Sequence, residues 1–170
     1  MTNEAPFYIK QNDPGMNDSI RRIGCFWRVG MKIAEELAGE AFKRTDELNA
    51  LWAESLFKGL MVDDGSGPEL HKGVVPIINL GLEYFGCERK LAEIGVFNTG
   101  RTNYYGWYKA EPPEETGERF FVQKIELGPG HVEKFHYREV FADGKVKFDP
   151  YRPAIKAHDI CYSIILEEIL

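Results

Sequence analysis

Between Ile23 and Gly39, apolar residues recur at a fixed interval. Cys25, Val29, Ile33 and Leu37 fall four apart, with Phe26 and Ala34 beside them. This is one apolar stripe at the helical period, and Gly39 supplies a C-terminal stop. Two starts fit the pattern. A cap at Ser19 would put Cys25 about a turn and a half inside the helix. It would also place Arg21 and Arg22 in a first turn that disfavours cations, and Gly24 in an interior that costs about 1 kcal/mol against Ala. A start near Gly24, with Cys25 in the first turn, is preferred. Ahead of it, Phe7-Tyr8-Ile9 is an aromatic, β-branched opening segment, and Gln11-Asn12-Asp13-Pro14-Gly15 reads as a turn. Thr45 reads as an N-cap followed by acidic first-turn residues, giving a helix over Asp46–Lys58 with Leu48, Leu51, Trp52 and Leu56 on one side. Pro76 opens a further helix that runs to about Phe85 and stops at Gly86.

After residue 88 the texture changes. Leu91–Phe97, Arg119–Glu126, Glu133–Ala142, Lys145–Asp149 and Cys161–Ile169 are rich in β-branched and aromatic residues. The last of these is compatible with strand or helix. Asp143-Gly144 signals a two-residue hairpin turn. Thr102–Pro113, with Tyr104, Tyr105, Trp107 and Tyr108, reads as a long loop that either lines a groove for peptide or glycan or fills a core edge. Helices first and strands later indicate an α+β fold, with N-terminal helices packed on a C-terminal antiparallel sheet. The expectation is one domain over residues 1–170, helical over about 20–88 and sheet over about 89–170.

Composition narrows the function classes. A chain of 170 residues, 44% hydrophobic and 28% charged, is one ordinary folding unit. At that length it buries roughly two thirds of its unfolded surface and needs no staple. A net charge of −6 argues against nucleic acid as the main partner, because phosphate binding needs clustered Lys and Arg. No apolar run approaches the ~20 residues of a membrane span, and the polar, acidic start Met1–Pro6 predicts no signal peptide. Three cysteines, Cys25, Cys87 and Cys161, without paired spacing, exclude a disulfide framework and fit a reducing cytoplasm. Cys87 and Cys161 lack partners at zinc-ligand spacing, Asp63-Asp64-Gly65-Ser66 lacks a calcium-loop pattern, and no phosphate-binding glycine motif occurs. No metal or cofactor is therefore expected, and the sequence does not indicate an oligomeric state.

At least one thiol is free, and Cys25 is the one placed for chemistry. A thiol at a helix start faces unpaired N–H groups and the positive dipole end. The other reading is packing, since free cysteine behaves as a small hydrophobe. The hairpin bears on the choice. With a two-residue Asp143-Gly144 turn, Ala142 faces Lys145, Phe141 faces Val146, Glu139 faces Phe148 and Arg138 faces Asp149. One face then carries Tyr137, Glu139, Phe141, Val146 and Phe148. The other carries His136, Arg138, Val140, Lys147 and Asp149. His136 and Asp149 become diagonal neighbours on that second face, within reach of each other. This relation suits a Cys–His–Asp arrangement, in which the carboxylate orients the imidazole and the other ring nitrogen takes the thiol proton. His131 has the opposite parity and lies five residues further from the turn, roughly 17 Å along the strand; a bulge in Glu133–Tyr137 would make it the alternative base. His71 and His158 have no such partner. An ordinary Arg138–Asp149 surface pair explains the same spacing without chemistry.

The order of these motifs is Gly24-Cys25-Phe26, then His136-Tyr137-Arg138-Glu139-Val140, then Asp143-Gly144-Lys145-Val146-Lys147-Phe148-Asp149-Pro150. It resembles the papain-like superfamily in its compact bacterial form and is similar to double-glycine-leader peptidases. It resembles still more a small bacterial and phage-borne family of cysteine peptidases. The resemblance implies Cys25 as nucleophile, His136 as general base and Asp149 as its orienting group. It implies that Gln11, the only glutamine upstream of Cys25, helps the Cys25 N–H form an oxyanion hole. The implied activity is hydrolysis of an amide in a peptide or protein substrate. A non-catalytic member of the same fold, binding peptide or glycan through the cleft and aromatic loop, is the alternative. A third reading is an unrelated α+β domain. The family's histidine is commonly followed by apolar residues, whereas Arg138 and Glu139 follow here, and the Gln11–Cys25 gap is long.

Overall fold

The computed structural model describes residues 7–62, 73–97 and 118–170. The expected loop at Asp63–Pro68, His71 and the aromatic stretch Thr102–Pro113 lie outside the described residues. The chain forms two compact units, Met1–Glu88 and Arg89–Leu170, and the change from helix to strand falls at their boundary. Among the described residues, four helices precede a five-stranded antiparallel sheet, an α+β arrangement.

In the first unit the helices are α1 (Asp18–Ile23), α2 (Cys25–Ala38), α3 (Thr45–Phe57) and α4 (Val75–Tyr84). The two candidate starts for the cysteine helix resolve into two helices. Asn17, not Ser19, caps α1: its side chain accepts from the Ser19 N–H. Arg21 and Arg22 then occupy the last turn of α1, where the dipole favours cations. Gly24 ends α1 and starts α2, donating to Ile20 O and accepting from Arg28 N–H, both at 2.8 Å. Likewise Thr45 is the first helical residue of α3 and not its cap; Arg44 takes that place without a side-chain hydrogen bond.

Helix α2 is buried almost all round. The expected stripe is present, and the opposite side is buried too, which the stripe did not foretell. Arg28 and Glu35 are both fully buried, with Nη1 2.7 Å from Oε1. Arg28 Nε donates to Ile9 O, and Glu35 Oε2 accepts from the Phe42 N–H. Burial pushes the Glu35 carboxyl above its usual range, against the pull of Arg28, the Phe42 N–H and Lys32. Trp27 stacks edge-on against Trp52 at 5.3 Å and donates to Ser55 Oγ. Close approach of α2 and α4 depends on small residues: a Cβ on Gly81 would lie 2.6 Å from Ala34 Cβ.

In the second unit the strands are β1 (Leu91–Phe97), β2 (Arg119–Glu126), β3 (Phe135–Val140), β4 (Val146–Phe148) and β5 (Asp159–Glu168). Their order is β1-β5-β2-β3-β4. The last segment is therefore a strand, and it sits between β1 and β2. Its central position explains why it reads as a near-continuous apolar run, with Cys161 and Ile164–Leu166 buried.

The turn after β3 differs from the expected two-residue form. Phe141 N–H donates to Lys145 O and Gly144 N–H to Phe141 O, so three residues, Ala142–Gly144, make the loop. Gly144 takes φ 88°, the left-handed position of a bulged three-residue hairpin. A second irregularity follows. Val140 pairs with Val146 and Glu139 with Phe148, leaving Lys147 as the extra residue. Val146 thus sits opposite Val140 and not Phe141. Lys147 turns toward Glu139, 3.7 Å away, and leaves the His136 face. The two one-residue departures cancel, and the expected register returns at Phe148.

A Cβ on Gly24 would lie 2.6 Å from Ile20 O and 2.8 Å from Ile20 Cα, both backbone atoms. Gly24→Ala is therefore expected to destabilise the protein by roughly 1–3 kcal/mol through overpacking. Urea unfolding checks this; an unchanged midpoint would show that the α1–α2 junction yields freely.

Candidate active site

His136 is the second residue of β3, opposite Ile125 on β2, and is 3% exposed. Asp149 follows the last residue of β4 and leaves the ladder. Its side chain is as buried as that of His136, and His136 Nε2 stands 2.8 Å from Asp149 Oδ1. Oδ1 also accepts from the Tyr151 N–H and Oδ2 from the Ile155 N–H, each at 2.9 Å. The local sequence accounts for this. Pro150 has no N–H, so the first backbone donor after Asp149 is Tyr151, two residues on, which closes an Asx-turn. The Tyr151 ring meets the imidazole edge-on at 5.9 Å.

Burial alone would raise the Asp149 carboxyl. The His136 hydrogen bond and charge, with the Tyr151 and Ile155 N–H groups, outweigh it and hold the group below its ordinary 3.8. Asp149 is thus a buried carboxylate that keeps its charge. As acceptor it requires the proton on Nε2 when the ring is neutral, which makes Nδ1 the basic nitrogen.

The expected Arg138–Asp149 surface pair does not form. Arg138 is buried, and its Nε donates to Gln123 Oε1 at 2.8 Å, directly across the β2–β3 ladder. Burial pushes the guanidinium below its ordinary range, and the Asp149 charge offsets part of this. Gln123 was not singled out from sequence; its place opposite Arg138 depends on the β2–β3 register, which no local turn signal specifies. His131 is exposed, in the connection before β3.

In the first unit, Cys25 is the first residue of α2 and is partly exposed. Gly24 before it offers no capping side chain. Gln11 is 1% exposed, and its Nε2 donates to Arg21 O at 3.2 Å, which ties the opening turn to the end of α1. Gln11 Oε1 is buried without a hydrogen-bond partner. Cys87 is partly exposed beyond α4, Cys161 is buried in β5, and all three thiols are free of disulfides. Among the described residues, no group of three or more His, Cys, Asp or Glu is placed to hold a metal, and no helix is long and apolar enough to cross a membrane.

Comparison with known protein families, with curated proteins and with solved structures finds no match to this chain.

Because the folded Asp149 titrates below 3.8, the stability it contributes is complete above that pH and is lost as pH falls through the folded value. Asp149→Asn should cost roughly 1–3 kcal/mol at neutral pH and flatten the acid limb of stability. Urea midpoints from neutrality to below pH 3 check this. Parallel acid limbs in the two proteins would mean that Asp149 is not the group being titrated.

Proposed function

We propose that the protein is a cysteine-dependent amide hydrolase of papain-like type, acting on a peptide or isopeptide bond. The observation that carries this reading is the buried His136–Asp149 pair. It fixes an imidazole in one orientation and one tautomer, the requirement for a general base that serves a thiol. The partly exposed Cys25 thiol at the start of α2 is the nucleophile.

In this reading the Cys25 Sγ proton passes to His136 Nδ1, and Sγ attacks the amide carbonyl carbon. The Cys25 N–H and the Gln11 amide stabilise the oxyanion. The C–N bond breaks as Nδ1 returns the proton to the leaving nitrogen. Water then adds to the thioester, with Nδ1 as base, releasing the acid and restoring the thiol. Asp149 is a positioning residue: it touches the imidazole and not the substrate. Three thiols free of disulfides fit a reducing compartment. The burial of Gln11, with Nε2 already donating to Arg21 O, favours the second reading, a non-catalytic binding protein.

Iodoacetamide labelling at neutral pH, quantified for each cysteine, separates the two. Cys87 is the internal control, since it is also partly exposed. The hydrolase reading expects Cys25 to react at least ~10-fold faster than Cys87, and His136→Ala to remove that advantage. Cys25→Ala should leave stability nearly intact. Equal reactivity of Cys25 and Cys87 in the folded protein would overturn the hydrolase and select the binding protein.

A further inference from the structure

The sheet face that presents His136 presents a cation to which the proposed chemistry gives no task. Arg138 lies two residues further along β3 and is 8% exposed. Its one hydrogen-bond partner among the described residues is the neutral Gln123, itself 2% exposed. The next residue across the ladder from Gln123 is Ser163 on β5, also buried and uncharged.

Two other arginines with buried side chains have carboxylate partners, whereas the buried Lys124 lies over the Phe135, Tyr137 and Tyr162 rings. Arg28 has Glu35 at 2.7 Å, and Arg119 has Glu167 at 3.1 Å. Among the described residues, no carboxylate stands within ion-pair distance of Arg138. Asp149 acts on it through space, but its oxygens already accept from His136, Tyr151 and Ile155. A guanidinium carries five N–H donors in a rigid fork, and the Gln123 contact uses Nε alone. The Nη donors form the edge that matches a carboxylate. Gln123 sets the direction of that edge without bringing a charge to it, and Asp149 acts only through space, so the guanidinium has no ion-pair partner among the described residues.

We propose that Arg138 binds a carboxylate of the molecule processed at His136. This rests on the reading of His136 as part of an acyl-transfer site. Two residues of strand separate the side chains by roughly 7 Å along the chain. The carboxylate therefore lies within about two residues of the bond cleaved, either as a peptide C-terminus or as an acidic side chain.

Side-chain NMR of the Arg138 Nε–H, titrated with small probes, tests this. N-acetylglycine carries a main-chain carboxylate, N-acetylaspartic acid α-amide a side-chain one, and N-acetylglycinamide none. At least one of the two acids should shift the signal saturably, and the stronger one identifies the carboxylate source; the neutral amide should not. Arg138→Gln should weaken binding, read on the His136 ring signals, by roughly tenfold or more. Gln123→Glu guards against a misfolded variant. It supplies an internal carboxylate, so it should raise the thermal midpoint and abolish the response to both acids. An equal response to the neutral amide, no response to either acid, or unchanged binding in both variants would overturn the proposal. Equal labelling of Cys25 and Cys87 would remove the hydrolase reading and leave a positive carboxylate response standing.

Discussion

A carboxylate taken out of water must be given hydrogen bonds or surrender its charge. Asp149, 4% exposed, accepts from His136 and from the Tyr151 and Ile155 N–H groups, at least three in all among the described residues. Two come from the backbone that follows Pro150, so the loop after β4 is shaped around the carboxylate. The third comes from His136, and it decides the chemistry that the ring can do. With Nε2 committed to Asp149, the basic lone pair is on Nδ1, and the Tyr151 ring limits rotation of the imidazole. Removing the carboxylate would therefore change a loop, a tautomer and a ring orientation together.

This pairing was legible because hairpins are local. The Asp143-Gly144 signal located the turn, and strand alternation then placed His136 and Asp149 on one face. The register near the turn was nevertheless misread. The loop has three residues, and Lys147 is extra in β4. Neither bulge has a sequence signature as plain as the turn itself, and the pairing survived because the two shifts cancel before Asp149. The partner of Arg138 was misread for a different reason. Gln123 comes from β2, whose pairing with β3 is set by burial on both faces and not by a tight turn.

The helical unit divides in the same way. The stripe through Val29, Ile33 and Leu37, the stop at Gly39 and the Pro76 start are local signals, and each is found where the pattern put it. The short α1 was missed because Gly24 looked like an interior defect. It is a junction, where one turn packs so closely on the next that a side chain does not fit. The buried Arg28–Glu35 pair was missed because charges on a helix usually mark its wet side. Here the two charges pair at 2.7 Å inside the core, and Arg28 Nε and Glu35 Oε2 bond the backbone of Ile9 and Phe42. Gln11 was legible as a candidate only through the resemblance, and its amide holds Arg21 O.

The chemistry open to this pair turns on where the proton of the His136 ring resides. Nitrogen-15 NMR of the imidazole, at a pH where the ring is neutral, reads this directly, and the exposed His131 serves as reference. The expected result is a proton on Nε2 that is protected from exchange with water, and loss of that protection in Asp149→Ala. A proton on Nδ1, or an Nε2 proton that exchanges as freely as that of His131, would contradict it.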